Sequence, residues 1–101
     1  AVGISHSGST YDIVQALEVA KNAGAFTVAI TNQMRSPLVK VADAALFTAS
    51  RETLFRSEAM SSRLAQLAII DSLFVAVSLR RKETALACTD KIRRVIALKR
   101  Y

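Results

Sequence analysis

Apolar and polar positions follow two rhythms along this chain. Residues 1–4, 26–31 and 44–48 are continuously apolar or β-branched, the pattern of short strands buried on both faces of a parallel sheet. Between them the period lengthens. Over 11–23, Ile13, Val14, Leu17 and Ala20 fall on one side of a helix, with Asp12, Gln15, Glu18 and Lys21 opposite. Gly24 stands where a left-handed residue would stop that helix. Ser9 or Thr10 can cap its start, with Asp12 placed as a capping-box acid behind Ser9. Ser36-Pro37 opens a second, short helix over 38–42, a cap residue followed by proline at the first helical position. The order strand, helix, strand, helix, strand predicts right-handed crossover units.

Beyond the third strand the pattern is helical. A long helix is predicted over 57–79, apolar at Met60, Leu64, Leu67, Ala68, Leu73, Phe74 and Val77. Ile69, Ile70 and Val75 widen its apolar face past a single stripe. Such a helix needs cover on more than one side, from a deep core or from a partner subunit. The last helix, over 84–98, is amphipathic and basic.

The loop between the first strand and the first helix carries the candidate chemistry. Gly3-Ile4-Ser5-His6-Ser7-Gly8-Ser9-Thr10 leads into a helix start, which offers unpaired backbone amides and the positive end of a dipole. Ser5, Ser7, Ser9 and Thr10 add neutral donors. With no Lys or Arg in the loop, an anion here would be held by amides and hydroxyls, a common way to bind a phosphate monoester. The alternative is that these hydroxyls only cap a helix and satisfy a turn. In such sheets ligands bind beyond the carboxyl ends of the strands, where this loop lies; Thr31-Asn32-Gln33 lies there too.

Composition narrows the class. A chain of 101 residues, 51% apolar and 22% charged, fits one globular domain with one core. No uninterrupted apolar run approaches the roughly 20 residues that span a bilayer, and no secretory layout opens the chain, so no membrane role is expected. Residues 1–4 are already mid-strand, so the sequence reads as the C-terminal part of something longer. Cys88 is the only cysteine, which excludes an internal disulfide and fits a reducing cytoplasm; it reads as a buried helix thiol. The net charge is +6, but the basic residues cluster late, from Arg80, Arg81 and Lys82 to Lys91, Arg93, Arg94, Lys99 and Arg100. They alternate with Ile92, Val95 and Ile96 as the wet side of an amphipathic helix. No basic–aromatic interleaving, helix-turn-helix pattern or zinc spacing accompanies them, which argues against direct nucleic-acid binding by this segment. No cofactor or metal is expected.

Candidates for acid–base chemistry are few. His6, the only histidine, could meet a bound phosphate or sugar, or be a half-exposed loop side chain. Glu58 is the best-placed carboxylate. Asp71, among apolar residues, reads as a polar contact within or between subunits. Arg63, one turn from Met60 and Leu67, must snorkel or find an anion, either ligand phosphate or a carboxylate across a dimer.

These segments resemble a known family. Residues 3–10, then Ala20-Lys21-Asn22-Ala23-Gly24-Ala25, Ala29-Ile30-Thr31-Asn32, Ser36-Pro37-Leu38 and Ala42-Asp43 are similar to successive landmarks of the SIS (sugar isomerase) domain. Ser62-Arg63-Leu64-Ala65-Gln66-Leu67-Ala68-Ile69-Ile70-Asp71-Ser72-Leu73-Phe74 resembles more narrowly the RpiR group of bacterial transcriptional regulators. The resemblance implies a flavodoxin-like α/β fold, a three-layer αβα sandwich with a five-stranded parallel sheet. Residues 1–101 would be a single partial SIS domain holding its last three strands. The first two strands, a second serine loop and a DNA-reading helix-turn-helix domain would lie elsewhere. It implies Ser5, Ser7 and Thr10 as phosphate-binding hydroxyls, Gly8 as the point of close ligand approach, and the amides of residues 6–10 as the rest of the cradle. Ser9 departs from the glutamate that the family often carries there. The expected function is a phosphosugar-sensing effector domain, a homodimer or tetramer, acting on DNA through a separate domain. The alternatives are a sugar-phosphate aldose–ketose isomerase and a dimerisation module without a live pocket.

Overall fold

The computed structural model describes residues 1–51 and 60–99. Its elements are β1 (Val2–Ile4), α1 (Tyr11–Asn22), β2 (Val28–Thr31), α2 (Pro37–Val41), β3 (Ala44–Phe47), α3 (Met60–Arg80) and α4 (Lys82–Ala97). The chain divides into two compact units, residues 1–69 and 70–101.

In the first unit the three strands form one sheet in the order β1-β2-β3. Both pairings are parallel, with Ile4 opposite Ile30 and Thr31 opposite Phe47. The predicted order of strands and helices is therefore realised. Side chains alternate across a sheet: Ala29 and Ala45 face a core built with Leu17, Ile13 and Val14 of α1 and Leu38 and Val41 of α2. Ile30, whose side chain leaves by the other face, is also fully buried.

Helix α1 ends as its glycine foretold. Gly24, at φ +88°, donates its amide to Lys21 O at 2.9 Å, and Ala25 N donates to Ala20 O at 3.0 Å. These two bonds make a Schellman stop. The start differs from expectation. Thr10 occupies the cap position without a side-chain cap bond, and its hydroxyl pairs with Ser5 Oγ instead. Ser9 bonds to Ser7, so no capping box forms with Asp12. Pro37 does open α2, but Ser36 makes no side-chain cap bond either.

Strand β2 begins at Val28, and Phe26, expected inside a buried strand, is 67% exposed. Thr27 between them is fully buried, its carbonyl accepting from Asp43 N at 3.0 Å and Ala44 N at 3.1 Å while its amide and hydroxyl turn to the Asp43 side chain. The Asp43 carboxylate accepts from Thr27 N and Thr27 Oγ1, both at 2.9 Å, and pairs with Lys21 Nζ at 2.9 Å. This clamp fastens the amino ends of β2 and β3 to the end of α1.

Helix α3 is the departure that matters most. It is long and apolar enough to cross a membrane by length and composition, with an 18-residue window of mean hydropathy 1.5 of which 6% is buried. Arg63 and Asp71 interrupt it, which is why no uninterrupted run of that length stands in the sequence. Its one buried residue is Ser62. The cover that such a helix requires is not supplied by the described residues.

In the second unit, α4 is amphipathic and has no buried residue. Cys88 is exposed, not the buried thiol expected. Phe74, Leu79 and Leu86 line an apolar cavity of about 270 Å³ in this unit. The Arg94–Asp90 pair, 3.4 Å apart and largely exposed, adds little stability.

Candidate functional site

The loop from Ser5 to Thr10 leaves the carboxyl end of β1 and delivers the chain into α1. Its path is fixed by turning backbone oxygens inward. Ser5 N donates to Ile30 O at 3.0 Å, continuing the ladder one residue beyond the strand. Gly8 N is shared between Ser5 O at 3.2 Å and Ser5 Oγ at 3.1 Å, closing a tight turn. The carbonyl of His6 accepts from Asn32 N and from Thr31 Oγ1, each at 3.1 Å. That of Gly8 accepts from Leu38 N at 2.9 Å. Gly8 itself has φ +64°, a left-handed conformation that suits glycine.

The carbonyls of Ser5, His6 and Gly8 are thus engaged within the fold, and most of the loop's amides are not. The N–H groups of His6, Ser7 and Thr10, and those of Tyr11, Asp12 and Ile13 in the first turn of α1, donate to no acceptor among the described residues. Together with the helix dipole they form a region of positive potential without a charged side chain. Ser7, Ser9 and Thr10 are exposed at its rim, whereas Ser5 is 7% exposed beneath it. The hydroxyls interlock: Ser5 Oγ and Thr10 Oγ1 stand 2.9 Å apart, and Ser9 Oγ donates to Ser7 Oγ at 3.0 Å. His6 is half-buried, and its Nδ1 is enclosed without a partner.

The residues singled out from the sequence therefore separate into two groups. Ser5, His6, Ser7, Gly8, Ser9 and Thr10 are brought together. Arg63 is exposed on α3, with no hydrogen bond or ion pair to the loop among the described residues; Asp71 is exposed as well. Glu58 lies outside the described residues.

Three further residues stand at the strand exits: Ser36, read from the sequence only as a helix cap, Asn32, read as lying at the ligand end of β2, and Ser50, given no role there. Ser36 Oγ is buried without a partner beside Gly8, and Ser50 Oγ is likewise enclosed and unpaired. Asn32 Oδ1 accepts from Thr48 Oγ1 at 3.3 Å and from Ser50 N at 3.1 Å. Each of these residues lies in the connection leaving β2 or β3. The rule that function gathers at the carboxyl ends of parallel strands, which marks Asn32 in the sequence, extends to Ser36 and Ser50 once the strand exits are known.

A parallel α/β domain with a loop of amides lacking acceptors at the carboxyl end of a strand is the class that fold and site define. Comparison with known proteins narrows it: the SIS domain model matches residues 1–76, and the chain belongs to that family. It is 42% identical over 100 residues to an uncharacterized HTH-type transcriptional regulator of Caldanaerobacter subterraneus subsp. tengcongensis, covering 99% of this chain and 36% of that protein. It is 44% identical over 94 residues to the uncharacterized HTH-type transcriptional regulator YbbH of Bacillus subtilis, covering 92% of this chain and 33% of that protein. The chain thus spans about a third of the length of these curated relatives. Among solved structures it is similar to the Vibrio vulnificus NanR protein complexed with ManNAc-6P, with a TM-score of 0.79 and 26% identity. That likeness covers 96% of this chain and 37% of NanR. A hypothetical protein of known structure aligns with a TM-score of 0.63 and 28% identity, over 86% of this chain and 52% of its own.

Proposed function

We propose that this chain is the phosphosugar-binding effector domain of a bacterial HTH-type regulator of the RpiR group, controlling carbohydrate metabolism in the cytoplasm. The observation that carries this reading is the set of amides without an acceptor at His6, Ser7, Thr10, Tyr11, Asp12 and Ile13, the kind of donor group that binds a phosphate dianion at a helix start. The complex of the similar NanR protein with a phosphosugar supports it. Ser5, His6, Ser7, Gly8, Ser9 and Thr10 hold the phosphate and the adjoining sugar, with Ser5 and Thr10 fixing the depth of the cradle. Glu58 and Arg63 serve ligand or subunit contacts. The bare apolar face of α3 supports a homodimer or tetramer in which a second copy covers it.

Regulation then requires differential affinity: the ligand must favour one arrangement of the assembly over another. A change in arrangement alters the spacing of the separate helix-turn-helix heads, and with it their fit to paired half-sites on DNA. The test is a titration of the full-length protein against hexose, pentose, amino-sugar and keto-acid phosphates, ManNAc-6P included, followed by operator binding with and without the best ligand. Saturable binding that shifts operator affinity is the expected result. Turnover of a sugar phosphate would replace sensing by aldose–ketose isomerisation, and no binding to any phosphate would overturn both.

A further inference from the structure

We infer that Asn32 is a positioning residue that couples the phosphate loop to the exit of β3. The inference deepens the proposed function and rests on it for the identity of the ligand. The exit from β2 lies between the two others, because β2 is the central strand of the sheet. Asn32 is the first residue beyond β2, and it bonds in both directions. Its backbone N donates to His6 O at 3.1 Å, on the phosphate-loop side. Its side-chain Oδ1 accepts from Thr48 Oγ1 at 3.3 Å and from Ser50 N at 3.1 Å, on the β3 side.

Thr31 reinforces the first connection. Its hydroxyl donates to the same His6 oxygen at 3.1 Å, accepts from Gln33 N at 3.2 Å, and is itself fully buried. The position of His6 O sets where the Ser7 amide points, since the His6 carbonyl and the Ser7 N–H share one peptide plane. A phosphate that draws that amide toward itself must therefore pull on Asn32. Asn32 in turn holds the only side-chain acceptor that Thr48 Oγ1 and Ser50 N have among the described residues. The chain beyond Ser50 leads to α3, so Asn32 stands on the covalent and hydrogen-bonded route from ligand to the helix left bare. An aliphatic side chain of similar size could fill this space but could not tie the two exits.

The experiment is residue-resolved amide hydrogen exchange on the full-length protein, with inorganic phosphate as the probe. Without phosphate, Asn32→Ala should speed exchange at Ser50 about fivefold, the protection of one hydrogen bond. It should also speed exchange at Gly8, whose amide closes the phosphate loop. Asn32→Asp, which keeps the acceptor, should restore both. With phosphate, exchange at Gly8 and Ser50 should slow in the unaltered protein, and the response at Ser50 should vanish in Asn32→Ala. If Asn32→Ala disturbs Ser50 and leaves Gly8 unchanged, or if Ser50 answers phosphate equally well without the amide side chain, the coupling is refuted. If phosphate leaves Gly8 unaffected in the unaltered protein, the ligand reading fails, and the phosphate-free comparison still decides the coupling by itself.

Discussion

Gly8 lies directly over Ser36: a β-carbon on Gly8 would collide with the Ser36 side chain and stand 2.9 Å from Thr31 Oγ1. Ser36 is 2% exposed and Thr31 fully buried, so neither can withdraw. The same glycine holds φ +64° and gives its carbonyl to Leu38 N. The loop from Ser5 to Thr10 is therefore pressed onto the start of α2 at a point where only a hydrogen atom fits. Gly8→Ala should cost about 1–2 kcal/mol for the left-handed backbone and a further ~1–3 kcal/mol for overpacking. Urea unfolding of the full-length protein measures the sum. Adding Ser36→Gly should recover the share of the second part that Ser36 imposes, leaving the contact with Thr31 Oγ1 and the whole of the first. Equal midpoints for Gly8→Ala and the unaltered protein would show that the close approach is not maintained in solution.

Ser7 separates binding from folding. It is exposed, and its hydroxyl accepts from Ser9 N at 3.3 Å and Ser9 Oγ at 3.0 Å. An aspartate there keeps an acceptor for both donors, so Ser7→Asp should leave stability within about 0.5 kcal/mol. Its charge would sit among amides that await an anion, and repulsion at a few ångströms should reduce phosphosugar affinity by at least about a hundredfold. Ser7→Ala, which removes a donor to the ligand together with the acceptor for Ser9, should cost about tenfold. Thermal stabilisation by ManNAc-6P reads both. Undiminished stabilisation of Ser7→Asp would remove this loop from the binding site.

Much of this arrangement was legible in the sequence because it depends on short-range rules. Alternation of strand-like and helical periods gave the order of elements, Gly24 gave the helix stop, and the hydroxyl-rich stretch before Tyr11 gave the loop. What stayed hidden depends on which of several partners a polar group selects. Thr10 was a fair cap by type, yet its hydroxyl takes Ser5 across the loop, a pairing fixed only once β1 and α1 are in place. Thr27 read as strand, yet Asp43, sixteen positions away, captures both its amide and its hydroxyl. Asn32 was legible as lying at the ligand end of β2, and only the adjacency of β2 to both its neighbours reveals its two-sided bonding. The bareness of α3 is of another kind: its composition announced a need for cover, and nothing in a single chain's pattern says where that cover comes from.

The clamp at the opposite end of the sheet should make folding sensitive to acid. The Lys21 ammonium hydrogen-bonded to Asp43, with the Thr27 amide and hydroxyl, holds the Asp43 carboxyl at about 2, below its ordinary 3.8. A carboxyl depressed in the folded state stabilises the fold above its unfolded value and loses that contribution as pH falls through the folded one. Urea midpoints should therefore decline between about pH 4 and pH 2, and Asp43→Asn should flatten that part of the profile. Side-chain exposures of 42% for Lys21 and 29% for Asp43 mean that added salt should weaken the effect in part. A profile unchanged by Asp43→Asn would assign the acid sensitivity to other carboxylates.

On the first-unit portion of α3, Leu64 is 67% exposed, Leu67 59% and Met60 47%. Spacings of three and four residues put them on one side of the helix. Apolar surface left in water at this density is what a subunit interface covers, with about 25 cal/mol for each square ångström buried. Replacing Leu64 and Leu67 together by glutamate removes that gain and sets two carboxylates where two copies would meet. Neither residue belongs to the core of Leu17, Ala29 and Leu38, so the sheet and its phosphate loop should survive the change. On the proposed assembly, analytical ultracentrifugation of the full-length protein should find the unaltered protein as a dimer or tetramer and the double variant dissociated at the same concentration. Phosphate should still slow exchange at Gly8 in the dissociated form, whereas operator binding, which needs two heads at fixed spacing, should fall by at least tenfold. Retained assembly would move the interface off this face, and loss of phosphate binding together with assembly would mean that a second copy completes the site.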